Sequence, residues 1–150
     1  MRYINHMDKY DCLKLENQLC FPLYSAANKI VRSYKPLLDK LDLTYTQYIA
    51  MMVLWEEGDI NEKELGKRLF LKSNTLAPLL QKLEKKGYIK IRKDKKDARN
   101  IVISITESGA KLKEKAVNVP PSIASSVNLS LEDSKKLYEI LYKYLDDDQE

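Results

Sequence analysis

The sequence has 150 residues, of which 44% are hydrophobic, and this is enough for one domain with its own core. It contains only two Cys and one His, which are too few ligands for an ordinary structural zinc site. The formal net charge is only +4. The segment from Lys63 to Arg99, however, contains thirteen Lys or Arg and four Asp or Glu, a net charge of +9. Such a compact basic segment is typical of proteins that bind a polyanion, most often DNA. The composition predicts neither a metal nor a cofactor.

The cellular location is predicted from what the sequence lacks. It has no run of 18 apolar residues, and its N-terminal segment has no apolar stretch of the kind found in secretory signals. We therefore expect no membrane span and a cytoplasmic location. In that compartment Cys12 and Cys20 are expected to be reduced thiols.

The first predicted element is a helix over residues 13–41, either one long helix or two joined ones. Apolar residues recur along it at three- and four-residue spacing. Pro36 is expected to bend or restart this helix. Thr44 and Gln47 then form a capping-box pattern, which predicts a strongly apolar second helix that ends at Glu57.

Two further helices are predicted in the basic segment. Asn61 with Glu64 would cap a short one. The next, over residues 72–86, has a clear amphipathic pattern. Pro78 is expected close to its start, because proline removes a backbone hydrogen bond from a helix interior. The residues predicted to form its buried face are Leu76, Leu79, Leu80 and Leu83.

A β-hairpin is predicted after the second of these helices. Residues 88–93 alternate between apolar and basic side chains, and in residues 101–105 isoleucine recurs at every second position, as is typical of strands. A Lys-rich turn joins the two segments. A helix capped by Thr106 is expected to follow and to run to Ala116.

The C-terminal part is predicted to be helical again. The proline pair at 120–121 is expected to break the chain before a last helix over residues 130–145. The resulting fold class is mainly α with a small β-hairpin wing: a winged helix-turn-helix region at about 44–106 within a single domain. The flanking helices, about 13–43 and 107–146, are left with apolar faces, which we expect to pair with a second copy of the chain.

The helix over residues 72–86 is predicted to be a recognition helix whose first turns reach base edges in the major groove. Its candidate DNA-binding residues are Lys72, Ser73, Asn74, Thr75, Pro78, Gln81 and Lys82. The wing is predicted to enter the minor groove, with Asp97 orienting Arg99 through a charge-assisted bond. The candidate DNA-binding residues of the wing are Lys95, Lys96, Asp97 and Arg99. A capped surface helix and a solvated turn are the alternative interpretations, which the combination of the two elements disfavours.

Cys20 is the candidate reactive residue. A free Cys is most often a small core residue, whereas a reactive thiolate is partly exposed and has hydrogen-bond donors nearby. Tyr24, Tyr34 and Tyr45 could supply such donors. Tyr34 lies about 21 Å from Cys20 along a straight helix, so only an antiparallel partner helix could bring the two together. Both interpretations of Cys20 stay open at this point, and Cys12 receives no role.

The sequence resembles the MarR family of winged-helix repressors, and more closely its organic hydroperoxide resistance regulators. The resemblance covers nearly the whole chain. Its most specific segments are LENQLCFPLY at 15–24, YKPLLDKLDLTYTQY at 34–48, LKSNTLAPLLQKLEKKGYI at 71–89 and KDARNIVISITESG at 96–109. The last of these contains the Asp-x-Arg pattern of the wing, as Asp97 and Arg99.

The resemblance implies a homodimeric repressor, not an enzyme, that binds a pseudo-palindromic double-stranded operator. It implies that an organic hydroperoxide oxidises Cys20, that Tyr34 and Tyr45 of the other subunit are hydrogen-bond partners of Cys20, and that Tyr24 lies nearby. Oxidation would release the DNA. The C-terminal half contains no Cys, so the chain resembles the one-cysteine type, in which a low-molecular-weight thiol captures the oxidised residue.

Three other functions remain as alternatives. The first is a MarR-type regulator released by a small aromatic ligand, with Cys20 structural. The second is a global regulator of virulence or antibiotic resistance that keeps the same cysteine. The third is a thiol peroxidase, which the lack of a paired acid and base disfavours.

Overall fold

The computed structural model describes residues 9–95 and 97–146, and within them the chain is mainly helical with one small antiparallel sheet. The helices are α1 (Cys20–Leu38), α2 (Tyr45–Glu57), α3 (Glu62–Leu69), α4 (Ser73–Lys85), α5 (Glu107–Ala116), α6 (Val119–Ala124) and α7 (Leu131–Asp146). The strands are β1 (Ile60–Asn61), β2 (Ile89–Lys93) and β3 (Ile101–Ile105). None of the described helices is long and apolar enough to cross a membrane.

Helix α1 begins at Cys20, so the predicted start near residue 13 was wrong. The preceding residues form two single 3-10 turns, Asp11–Leu13 and Leu15–Asn17. The Asn17 side chain donates to the Asp11 carbonyl at 2.8 Å, and Gln18 donates to the Cys12 carbonyl. Side-chain amides that bond to the local backbone in this way compete with helix formation. Pro36 lies inside α1, which continues to Leu38 without restarting.

The capping box at the start of α2 is confirmed. The Gln47 N–H donates to Thr44 Oγ1 at 3.3 Å, and the Thr44 N–H donates to Gln47 Oε1 at 3.1 Å. Gln47 is the one polar residue among the buried side chains that the structure describes. The remainder of that core is apolar and runs from Leu38 to Ile123.

The turn between α3 and α4 is tight. Asn61 caps α3 by accepting from the Lys63 N–H at 2.8 Å. Phe70 ends the helix with a left-handed φ of 53°, which is unusual for an aromatic residue. The Leu71 carbonyl then lies only 2.8 Å from where a Cβ on Gly66 would stand. Glycine at 66 therefore allows the tight turn by which α4 begins at Ser73, shortly after α3 ends at Leu69.

Helix α4 has the predicted buried face of four leucines. The placement of Pro78 near the helix start was wrong, because Pro78 is the sixth residue of the helix. The helix tolerates Pro78 because this residue lies on the exposed side, while four leucines on the other face are buried. Proline there costs one backbone hydrogen bond, whereas each buried leucine contributes about 2 kcal/mol of transfer free energy.

The hairpin is confirmed, with β2 and β3 paired antiparallel so that Ile91 lies opposite Ile103. A third strand, β1, pairs with the other edge of β3 through Ile60 and Ile103. The sequence pattern missed β1, because a two-residue strand shows no alternation and depends on its pairing partner. Together α2 through β3 form a helix-turn-helix with a three-stranded wing.

The C-terminal helices differ from the prediction mainly at the proline pair. The Thr106 cap of α5 is confirmed, since its Oγ1 accepts from the Gly109 N–H at 3.0 Å. Pro120 and Pro121, however, lie in the first turn of α6, so they begin a short helix that was not predicted. Proline is favoured in a first helical turn, where its missing N–H has no intrahelical acceptor. The last helix, α7, starts one residue later than expected.

Candidate DNA-binding surface and cysteine–tyrosine site

The first turns of α4 form an exposed polar surface. Lys72 is the N-cap residue and contributes no side-chain cap bond. The N–H groups of a first helical turn have no intrahelical acceptor, which makes this end of a helix suitable for phosphate oxygens. The predicted residues Lys72, Ser73, Asn74, Thr75, Pro78, Gln81 and Lys82 are all exposed. The structure thus leaves all seven accessible to a ligand, while the four leucines of α4 are buried.

The tip of the wing holds Arg99 in a fixed orientation. Arg99 Nε donates to Asp97 Oδ1 and Arg99 Nη2 to Asp97 Oδ2, each at 3.0 Å. The hydrogen bonds from Arg99 lower the pKa of the Asp97 carboxyl below its usual value. The Arg99 side chain remains 90% exposed, so its charge faces solvent. Lys95 is also exposed, and Lys96 lies outside the described residues.

The base of the wing is tied to the rest of the chain by bonds that sequence patterns did not reveal. Arg92 on β2 donates to Asp59 beside β1, and to Ser104 Oγ on β3 at 3.1 Å. Glu84 on α4 accepts from the Ile91 N–H at 2.7 Å. These residues bond across separate elements, so only the tertiary structure pairs them. The wing and α4 consequently form one connected unit.

Three tyrosines meet between α1 and α2, and we call Tyr34, Tyr45 and Tyr48 the tyrosine cluster. The ring centroids of Tyr34 and Tyr45 are 5.0 Å apart, and those of Tyr34 and Tyr48 are 5.9 Å apart. Burial raises the pKa of all three phenols. Their hydroxyls therefore remain protonated, and able to donate hydrogen bonds, well above neutral pH. Sequence analysis selected Tyr34 and Tyr45 but missed Tyr48, although an α2 position three residues from Tyr45 was a usable signal.

Cys20 lies at the opposite end of α1 from the tyrosine cluster. It is exposed and is the first residue of the helix, and Tyr24, one turn later, is 69% exposed. Because α1 is continuous, Cys20 and Tyr34 are separated by about 21 Å at the helical rise. The four predicted sensor residues therefore do not assemble within one chain: Tyr34 and Tyr45 meet, while Cys20 and Tyr24 remain apart from them.

The surface around Cys20 is apolar. The exposed apolar residues in and before α1 include Leu13, Leu15, Leu19, Phe21, Leu23, Tyr24, Ile30 and Val31. Helix α7 exposes a second such set, made up of Leu131, Leu137, Tyr138, Ile140, Tyr142 and Tyr144. Contiguous exposed apolar surface on a soluble chain usually marks an interaction site.

An open apolar cleft of about 440 Å³ lies between α2 and the α5–α6 corner. Tyr48, Met52 and Trp55 line one side, and Lys113 and Val117 lie on the other. A cleft of this size and lining is suitable for a small aromatic molecule.

The helix-turn-helix, the exposed lysines of its second helix α4 and the wing with its exposed arginine define a winged-helix DNA-binding protein.

Comparisons with known proteins identify its family. The sequence profile described as transcriptional regulator SarA/Rot matches residues 32–116. The organic hydroperoxide resistance transcriptional regulator of Bacillus subtilis (strain 168) is 46% identical over 139 residues, which are 93% of this chain and 95% of the relative. The transcriptional regulator SarZ of Staphylococcus haemolyticus is 41% identical and covers 85% of this chain and 86% of its own.

Solved structures agree with these sequence matches. AbfR is a protein of Staphylococcus epidermidis that has been solved in its reduced form bound to DNA. It is 32% identical to this chain, and the two structures align with a TM-score of 0.75 over 92% of this chain and 96% of that one. Overoxidised AbfR bound to DNA has the same TM-score and identity. The chain belongs to the MarR-type winged-helix transcriptional regulators, in the group that includes the SarA/Rot and organic hydroperoxide resistance regulators.

Proposed function

We propose that this regulator is a homodimeric repressor that releases its operator when an organic hydroperoxide oxidises Cys20. The observation that carries the proposal is the position of Cys20. It is exposed at the start of α1, on an apolar face that nothing in the described residues covers. The half-buried Tyr34 and Tyr45 would stabilise a thiolate by donating hydrogen bonds. Tyr34 lies near the other end of α1, and Tyr45 packs against it from the start of α2.

A second copy of the chain supplies what one copy lacks. An antiparallel α1 from the partner would place one chain's Cys20 beside the other chain's Tyr34 and Tyr45. The apolar faces of α1 and α7 would be covered at the same time. We therefore assign the regions of about 13–43 and 107–146 to dimerisation and the region of about 44–106 to DNA binding.

The dimer would present two copies of α4 and of the wing to DNA. Two-fold symmetry matches a pseudo-palindromic operator whose half-sites are one helical turn apart. The residues proposed to contact bases or phosphates on α4 are Lys72, Ser73, Asn74, Thr75, Pro78, Gln81 and Lys82. Those proposed for the wing are Lys95, Lys96 and Arg99, with Asp97 orienting Arg99.

The proposed chemistry balances as follows. The Cys20 thiolate attacks the distal oxygen of the hydroperoxide, the O–O bond breaks, and the leaving alkoxide takes a proton to become an alcohol. Cys20 becomes a sulfenic acid, oxidised by two electrons. A low-molecular-weight thiol then attacks the sulfenic sulfur, which forms a mixed disulfide and releases water. The added group would disrupt the contacts of Cys20 at the seam between the two subunits.

The names of the relatives support this chemistry. The Bacillus subtilis relative is an organic hydroperoxide resistance regulator, and AbfR has been solved in reduced and overoxidised forms. Cys12, the other cysteine, is exposed and its thiol donates to the Lys9 carbonyl at 3.5 Å. We assign it no role in sensing.

The test is binding to the DNA upstream of the protein's own gene, with and without about one equivalent of tert-butyl hydroperoxide per Cys20 and with free cysteine present. We expect release that dithiothreitol reverses. Cys20→Ser should bind DNA and ignore the hydroperoxide, while the matched Cys12→Ser should respond like the wild type. Release from Cys20→Ser would overturn the assignment of the sensor.

A small-ligand regulator is the second candidate, and the cleft beside Trp55 is the observation that favours it. If DNA binding proves insensitive to hydroperoxide, aromatic acids should be tried as ligands. We also propose that oxidation is stoichiometric. Sustained consumption of hydroperoxide over many equivalents of protein would instead indicate a thiol peroxidase.

A further inference from the structure

We propose that Trp55 is a positioning residue that transmits the state of the tyrosine cluster to the recognition helix and the wing. The inference rests on the proposed function, because it concerns how oxidation of Cys20 reaches the DNA-binding surface. Trp55 lies near the end of α2, and it contacts the tyrosine cluster on one side and α5 on the other.

On the first side, aromatic rings form a continuous row. Tyr45 packs on Tyr34, and Tyr34 packs on Tyr48. The Tyr48 ring then meets the Trp55 ring with centroids 6.2 Å apart and an interplanar angle of 68°. Edge-to-face aromatic pairs at this separation are attractive and depend on orientation. Tyr48 is only 2% exposed, so its ring has little room to absorb a displacement of Tyr34.

On the second side, Trp55 is bonded to α5 at two points. The Trp55 indole Nε1–H donates to the Gly109 carbonyl at 2.8 Å, and Lys113 Nζ donates to the Trp55 carbonyl at 3.2 Å. Gly109 itself is closely confined, because a Cβ at this position would lie 2.1 Å from the Tyr88 carbonyl oxygen. The first turn of α5 is thus held between Trp55 and the residue that precedes β2.

This same turn holds both DNA-reading elements. Thr106 Oγ1 donates to the Gly87 carbonyl at 2.6 Å, just after α4 ends. The Thr106 N–H donates to the Tyr88 carbonyl at 3.0 Å, and Thr106 directly follows β3. A shift of the α5 start must therefore move the end of the recognition helix, the wing, or both.

The physical reason for transmission is close packing. Each ring in the row is in contact with the next, and packed interiors move between discrete arrangements rather than deforming gradually. A bulky group on the partner's Cys20 would displace Tyr34 and Tyr45 first. Tyr48 and Trp55 are the next rings in the row and would move after them. The hydrogen bond from the Trp55 indole would then pass the displacement to Gly109.

The chain provides its own probe, because Trp55 is its single tryptophan. Tryptophan emission of the full-length dimer should be recorded during a titration with tert-butyl hydroperoxide in the presence of free cysteine. We expect a change in emission that proceeds at the same rate as the loss of the Cys20 thiol and that is absent in Cys20→Ser. Constant emission while Cys20 is oxidised and DNA is released would overturn the inference.

A second measurement uses Trp55→Phe, which keeps an aromatic ring but removes the indole donor. We expect the reduced variant to bind the operator within about threefold of the wild type. The ratio of the oxidised to the reduced Kd should fall about fivefold, the equivalent of one hydrogen bond. The rate of Cys20 oxidation should not change. Met52→Leu is the matched control, since Met52 lies on the same helix and lines the same cleft without joining the row.

The outcomes distinguish a failure of this inference from a failure of the proposed function, the release of DNA on oxidation of Cys20. A wild-type protein whose Cys20 is oxidised without DNA release would overturn both. A Trp55→Phe variant with the wild-type Kd ratio would overturn only the role of Trp55. An equal fall of that ratio in Met52→Leu would also count against Trp55, because it would show that any change in the cleft weakens the response.

Discussion

The winged-helix region and the helices α1 and α7 differ in how much of their apolar surface one chain buries. From α2 to β3, every helix has buried residues, and α5 and α6 add Leu112, Val119 and Ile123 to the same core. In the described chain, by contrast, α7 has no buried residue and α1 has only Leu38. The first region is therefore packed within one chain. The second has amphipathic helices that leave their apolar faces uncovered, and so its structure is complete only in an assembly.

The largest effect should come from the core that is packed within one chain. Leu80 on α4 is 1% exposed, and we expect Leu80→Ala to lower the free energy of unfolding by about 3 kcal/mol. Urea denaturation measures this loss. Lys82→Ala, on the exposed face of the same helix, is the control and should change it by less than about 0.5 kcal/mol. A similar loss in both variants would contradict the assignment of this core.

A charge in the terminal region should break the assembly instead. Ile140 on α7 is 65% exposed in one chain, and Ile140→Asp would bury a carboxylate in the proposed dimer. We expect a monomer by light scattering and operator binding weakened by about a hundredfold, since two linked half-site contacts become independent. Glu139→Gln, the neighbouring exposed residue, should remain dimeric. A dimeric Ile140→Asp would show that α7 is not at the interface.

A change at the wing should weaken DNA binding without affecting the dimer. Arg99→Ala removes the exposed guanidinium that Asp97 orients, and we expect about a tenfold loss of operator affinity. Lys111→Ala deletes one positive charge from the exposed surface of α5 and serves as the control for net charge. Arg99→Lys should restore affinity only partly, because lysine lacks the planar fork that bonds to Asp97 at two points. Unchanged affinity of Arg99→Ala would remove the wing from the DNA-binding surface.

The smallest effect concerns the tyrosine cluster at alkaline pH. Burial raises the pKa of Tyr34, Tyr45 and Tyr48, so the folded state favours their neutral forms. This stabilisation is fully present below the unfolded pKa of about 10 and is lost as the pH rises through the folded pKa. Ultraviolet titration should show tyrosines that ionise late, and Tyr34→Phe should remove one of them. Ordinary titration of all tyrosines would mean that the cluster is open to water.

The difference between the two regions also explains what the sequence could predict. The cap at Thr44, the leucine face of α4 and the β2–β3 hairpin follow local rules, and the structure has all three. The start of α1, the position of Pro78 and strand β1 were missed or misplaced. In those cases side-chain amides, a tertiary core or a pairing strand outweighs the local signal. The roles of Cys20, Tyr34 and Tyr45 came from a family resemblance, because their proposed contacts lie between two chains and no pattern within one chain encodes them.

The continuity of α1 implies crossed communication between the subunits. If each Cys20 lies against the tyrosines of the other chain, the chain that meets the oxidant is not the chain whose wing responds first. A mixed dimer with Cys20→Ser in one subunit and Trp55→Phe in the other would then keep one intact route. A mixed dimer with both changes in the same subunit and a wild-type partner would keep none. Each subunit would thus sense the oxidant on behalf of the DNA-binding region of its partner.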